Sequence, residues 1–317
     1  MSTIDFHVHV FPNPMEKVLP GSLAPMIEQA RRTVRHLLEP TQEKMHQAQV
    51  WMRLLPKLAR AGLDQMGGLS TLPRLLIEST PADLIEAMDA SGVDRAVVIA
   101  HPPFASNEWV LETCSQSSDR LIPVMNVPPG TEKPGQLLED LIDKGARGLK
   151  IHASADGEGP ESPRYRELLE VAQSKSLPVI LHTGCIQNRV FYKNPSLGKV
   201  EIFEPWFEAY RRIRFVLAHM NFHEPEKALQ LGELHSNILV DTSWQPAEII
   251  GEAVRRLGAD RVLFGTDWPF VGGNLAVGKK RIEEGVTGGV YSQDDADKIL
   301  GGNALKLLLG GVDAAMA

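Results

Sequence analysis

His7 and His9 stand two apart in the run Ile4-Asp5-Phe6-His7-Val8-His9. Side chains two apart on an extended strand face the same way, so both imidazoles can reach one point. Three more groups close apolar runs further along. His182 follows Ile180-Leu181, His219 follows Val216-Leu217-Ala218, and Asp267 follows Leu263-Phe264-Gly265-Thr266. Taken singly, each reads equally well as a polar cap on a strand. Together, four imidazoles and a carboxylate on one rim repel or go unpaired unless a cation organises them. Imidazole with carboxylate suits zinc, iron or manganese better than calcium or magnesium. Lys150 and His152 share a face in Gly148-Leu149-Lys150-Ile151-His152. Lys150 has two readings. Buried beside cations it loses its proton and can take up carbon dioxide as a carbamate, an anionic ligand for one or two ions; kept as an ammonium, it binds an anionic substrate group. His152 reads as a substrate contact.

These groups need strands to carry them. Eight short apolar runs recur: 4–10, 95–100, 121–127, 148–152, 178–182, 214–219, 238–242 and 261–267. Helical stretches separate most of them, which predicts a parallel sheet with crossover helices. Eight such units close an α/β barrel, the (β/α)8 TIM barrel, whose active site lies at the C-terminal ends of the strands. Ser79-Thr80-Pro81-Ala82-Asp83 predicts a helix start and Gly92 its end; Ser162-Pro163 and Ser292 open two others. Gly301-Gly302 predicts a break in the last. One connection is long. Met26, Ile27, Ala30, Val34, Leu37 and Leu38 fall at helical spacing, and so do Trp51, Leu54, Leu55 and Leu58. The chain is therefore read as a single domain over 1–317, with a helical insertion at about 12–78 that serves as a cap or a dimer contact.

Composition narrows the function classes. The chain has 317 residues, 43% hydrophobic and 23% charged, with a formal net charge of −7. That acidic balance gives no footprint for nucleic acid. Arg31, Arg32 and Arg35 form a small basic cluster, read as a solvated helix face. No apolar run is long enough to span a membrane. Two distant cysteines, Cys114 and Cys185, and the absence of a leader pattern point to the cytoplasm. Cys185 reads as a small filler.

As an ordered set, the His7/His9 strand, the Lys150 strand, Leu181-His182-Thr183-Gly184, Leu217-Ala218-His219-Met220 and Phe264-Gly265-Thr266-Asp267-Trp268-Pro269 resemble the amidohydrolase superfamily, in its amidohydrolase-related branch. The resemblance covers the chain apart from the insertion. It implies that His7, His9, His182 and Asp267 hold a first divalent metal, zinc before manganese or iron. His219 is then an acid or base, or a ligand to a second ion bridged by a carboxylated Lys150. A homodimer is also implied.

The expected activity is hydrolysis of a small amide, lactone or ester by metal-activated water, with Asp267 as base and then acid, and His219 polarising the carbonyl. The alternative is decarboxylation or hydration of a small aromatic or unsaturated acid, since Lys150 or Arg189 offers a carboxylate-binding cation. His152, Arg189, Trp244 and Trp268 are the expected substrate contacts.

Overall fold

The computed structural model describes residues 2–13, 25–35, 44, 51–189, 191–270 and 274–313. Eight strands run in chain order: β1 (Ile4–Val8), β2 (Arg95–Ile99), β3 (Leu121–Val124), β4 (Leu149–Ile151), β5 (Val179–His182), β6 (Phe215–Ala218), β7 (Ile238–Asp241) and β8 (Val262–Leu263). β1 to β3 pair in parallel, and so do β4 to β8. The two groups join at both edges. Met125 bridges Leu149, and Lys150 N donates to Met125 O. On the other side Val8 bridges Trp268, Phe6 N donates to Phe264 O, and Asp267 N donates to His7 O. A parallel sheet whose last strand meets its first is closed, and the fold is the expected TIM barrel.

The strands are buried on both faces, as parallel strands between helices must be. Alternate residues Val97, Ile99, Val124, Ile180, Val216 and Leu239 form one cluster, with Ala304 and Leu308 of the C-terminal helix packed into it. Lys150 is in register with Ile180, so it projects to the same face. The β1–β2 register shifts between Asp5 and Val8, next to His7. Such irregularities re-aim side chains beside active sites.

The strands are shorter than the apolar runs. The 261–267 run leaves the ladder after Leu263, yet it keeps following β1 through the backbone bonds above. Helix starts match their signals. Thr80 and Asp83 form a reciprocal capping box on Pro81–Ser91, and Gly92 ends it at φ 64°. Ser162-Pro163 opens Pro163–Ser174, and Ser292 caps Gln293–Asp297. The Gly301-Gly302 break does not occur. Lys298–Gly302 widens into a π turn and the helix continues as Asn303–Asp313. The glycine is there for closeness, because a Cβ on Gly301 would lie 1.8 Å from Ser2 O.

Helices at 25–35 and Lys57–Ile77 lie in the long connection. Leu37 and Leu38 fall outside the described residues. Leu54 and Leu55 sit in a turn before Pro56 rather than in a helix. Arg31 and Arg35 are not solvated. One turn apart, they face inward and both pair with buried Asp83, while Arg32 points out and pairs with Glu28. Among the described residues no helix is long and apolar enough to cross a membrane. The two cysteines are free, as their spacing suggested.

Candidate active site

The expected groups meet at the C-terminal ends of the strands. His7, His9 and Asp267 bring one ligand atom each within 4.8 Å of one another, and so do His7, His219 and Asp241. Asp267 Oδ1 lies 3.4 Å from both His7 Nε2 and His9 Nε2. His182 belongs to neither trio. Its ring stands 5.1 Å from that of His219 and is stacked 3.8 Å from that of His152.

Three of the imidazoles, those of His7, His9 and His219, are locked by their Nδ1 atoms. His7 Nδ1 is 2.8 Å from Asp241 Oδ2. His9 Nδ1 is 3.1 Å from the carbonyl of Ile99, and an N–H must sit there because a carbonyl only accepts. Ser243 Oγ donates to Asp241 Oδ1, so it accepts from His219 Nδ1 at 2.7 Å. In each ring Nε2 is then the free lone pair. This is the arrangement by which outer groups orient metal-binding imidazoles. His7 Nε2, His182 Nε2 and Lys150 Nζ are buried without hydrogen-bond partners. Burial, ahead of the neighbouring charges, pushes His7, His182 and His219 well below the ordinary imidazole range, so they are neutral. Burial alone would raise the Asp267 carboxyl. His9, His7 and the Trp244 indole outweigh it and hold Asp267 below the ordinary value. Neutral imidazoles with open Nε2 atoms and an ionised carboxylate fit a divalent transition metal.

Asp241 escaped the sequence reading. Its signal was the same as that of Asp267, a carboxylate closing the apolar strand Ile238-Leu239-Val240. It is fully buried and also accepts from His219 N at 2.9 Å. Asp5 was missed as well. It accepts from Thr266 Oγ1, Thr266 N and His7 N, tying β1 to the segment after β8, and burial raises it to about 7.

Residues 219–222 all have left-handed backbones, at φ 62°, 44°, 60° and 50°. Each costs on the order of 1 kcal/mol in a non-glycine residue. The turn is held by Asp241, by Thr183 Oγ1 accepting from Asn221 N, and by Gln245 Nε2 donating to His219 O and Phe222 O.

Lys150 lies on the barrel floor, lowered to about 8 by burial against the pull of Asp241 and Asp267. His152 is buried, its Nδ1 accepting from Ala155 N. His101, in the loop after β2, packs 5.7 Å from His9 and 6.1 Å from Phe270, and burial lowers it to about 3. Tyr192 approaches the His152 and His182 rings at 5.2 and 5.3 Å. Trp244 donates from Nε1 to Asp267 Oδ2 at 2.7 Å. Trp268 is not presented to the mouth. It is 1% exposed, and its Nε1 donates to Glu78. The Arg189 side chain is exposed, while its backbone N donates to Gln65. His235 is half-buried against Phe207.

An amidohydrolase family model matches residues 4–309. The chain belongs to the amidohydrolase family. The chain is 21% identical over 256 residues to a γ-resorcylate decarboxylase of Rhizobium radiobacter, covering 59% of the chain and 76% of the relative. It superposes on an uncharacterized TIM-barrel protein of Bordetella bronchiseptica with a TM-score of 0.66 at 18% identity, covering 98% of one chain and 100% of the other. A dihydroxybenzoic acid decarboxylase from a Polaromonas species, with bound manganese and 2-nitroresorcinol, gives a TM-score of 0.62 at 16% identity over 98% of this chain and 97% of that one.

Proposed function

We propose that the protein is a metal-dependent decarboxylase of a small hydroxylated aromatic acid. The observation that carries this reading is Lys150, a buried cation without a hydrogen-bond partner at the base of a mouth walled by imidazole and aromatic rings. The γ-resorcylate relative and the manganese-bound neighbour support the decarboxylase alternative over the hydrolase that the sequence favoured.

His7, His9, His182 and Asp267 would hold the ion, manganese or zinc, with Asp241 orienting His7 and His219. When bound, the ion supplies positive charge that polarises the carboxylate and phenolic oxygens. The remaining roles fall to the chain. Lys150 Nζ keeps its proton at neutral pH and binds the substrate carboxylate. The rings of His152, Tyr192 and Phe270 offer faces and edges to a flat substrate and exclude water. His219 Nε2 accepts from a phenolic hydroxyl. Asp267, a strong acid once protonated, passes a proton from solvent to the ring carbon. The carbon–carboxylate bond breaks, its electron pair stays on the ring, the proton replaces the carboxylate, and carbon dioxide leaves.

Protein loaded with Mn2+ or Zn2+ is expected to release carbon dioxide from dihydroxybenzoates, and the Asp267→Asn variant is expected to release none. Hydrolysis of lactones or amides with no carbon dioxide from any aromatic acid would return the hydrolase reading. A homodimer joined through the insertion helices belongs to the same proposal. Trp51, Leu54, Leu58 and Met66 present a largely exposed apolar surface there.

A further inference from the structure

A second cavity lies beside the barrel mouth and shares none of the candidate metal ligands. Its volume is about 240 Å³, and it sits between the Lys57–Ile77 helix and the loops after β5 and β6. Lys57, Arg60 and Lys199 line it, and among the described residues none of their side chains has a hydrogen bond or ion pair. The acidic groups on its wall are already engaged. Asp64 is buried, accepting from Gln187 N and lying 3.0 Å from His223 Nε2; Glu224 pairs with Lys227. Lys57, Arg60 and Lys199 are thus the charged side chains without a bonded partner around a space with room for about eight waters at ~30 Å³ each.

The wall opposite the helix is the strained turn of the active site. Asn221 lines the cavity two residues after His219, and its backbone N is tied to Thr183. His223, also on the wall, joins that turn to the helix through Asp64. We propose that this cavity binds a small anion carrying two or more charges, a phosphate or a dicarboxylate, and that its occupancy clamps the Lys57–Ile77 helix onto the turn that carries His219. Several cations around one small space recognise such groups, and multiple charge-assisted bonds distinguish a dianion from chloride.

The test is independent of the decarboxylase reading, because it is read without substrate. Inorganic phosphate and succinate are titrated into the full-length protein by calorimetry at constant ionic strength. Iodoacetamide labelling, mapped by mass spectrometry, is followed in parallel. Cys185 lines the cavity and is half-buried, whereas Cys114 is buried with its thiol pushed up to about 12 and serves as the internal control. The expected result is saturable binding of at least one anion, slower alkylation of Cys185 on binding, and affinity weakened about tenfold or more in Arg60→Ala and in Lys199→Ala. The tighter of the two anions names the source. Neither substitution touches the barrel mouth, so metal content should equal that of the wild type. Absence of saturable binding, or binding unchanged in both variants, overturns the proposal.

Discussion

Asp241 has no free face for substrate, yet it sets the state of two imidazoles. It fixes the His7 tautomer directly, and it fixes His219 through the His219 backbone and Ser243. Asp241→Asn keeps the shape and removes the charge. Metal affinity measured by competition with a chelator is expected to fall about 10–100-fold, the usual effect of losing an outer partner. An unchanged affinity would mean that Asp241 only packs. Lys150 gives the pH signature. Its amine is lowered to about 8 by burial, so it carries charge below that pH and loses it above. If it binds the substrate carboxylate, kcat/KM falls as pH rises through about 8. Lys150→Arg should carry the plateau to higher pH, because a guanidinium stays charged. A profile indifferent to Lys150→Arg would remove Lys150 from substrate binding.

The inserted helices are attached by specific polar bonds. Arg31 and Arg35 converge on Asp83, which also caps its own helix. Burial would raise the Asp83 carboxyl, but the Thr80 bonds and Arg31 outweigh it and leave it below the ordinary value. A depressed carboxylate stabilises the fold above its unfolded pKa and loses that contribution as pH falls through its folded value. Asp83→Ala removes the helix cap and leaves each guanidinium one carboxylate, Glu28 for Arg31 and Glu86 for Arg35. It should cost about 1–3 kcal/mol in urea unfolding at pH 7. The gap to wild type should narrow as the pH is lowered past about 4. On the far side of the mouth, Gly184 has φ +119°, and a Cβ there would lie 2.7 Å from Cβ of Phe222. Gly184→Ala is expected to cost about 2 kcal/mol or more through backbone strain and the clash. Because it pushes on the left-handed turn, it should also lower metal affinity.

For the molecule as a whole, the metal and the fold should report on each other. Five imidazoles and a lysine are buried at one end of the barrel, three of them with unpartnered nitrogens. An ion that binds only the native state adds RT ln(1 + [L]/Kd), about 4 kcal/mol at a thousandfold excess over Kd. Chelation is therefore expected to lower Tm, and Mn2+ or Zn2+ to restore it. A Tm indifferent to chelation and reloading would argue against the site. The proposed dimer is tested at the same scale. Leu58, 90% exposed, and Leu54, 75% exposed, are the most open large apolar residues of the insertion among the described residues. The double variant Leu54→Glu with Leu58→Glu should sediment as a monomer at concentrations where the wild type is a dimer.

By itself the sequence determined the barrel and most of its rim. Strand periodicity, helix caps at Thr80 and Ser292, and polar residues closing apolar runs are local signals written within a few positions of one another. What it could not determine depends on residues far apart in the chain. Asp241 matters because its oxygens reach His7 and His219, contacts that appear only when the barrel closes. Arg31 and Arg35 looked like solvated charges until Asp83, about fifty positions on, took them inward. Trp268 had the composition of a mouth residue, but β1 and Glu78 drew it into the core. Tertiary structure alone decided these points, because burial and hydrogen-bond partnership are properties of the space around a side chain rather than of its neighbours in sequence.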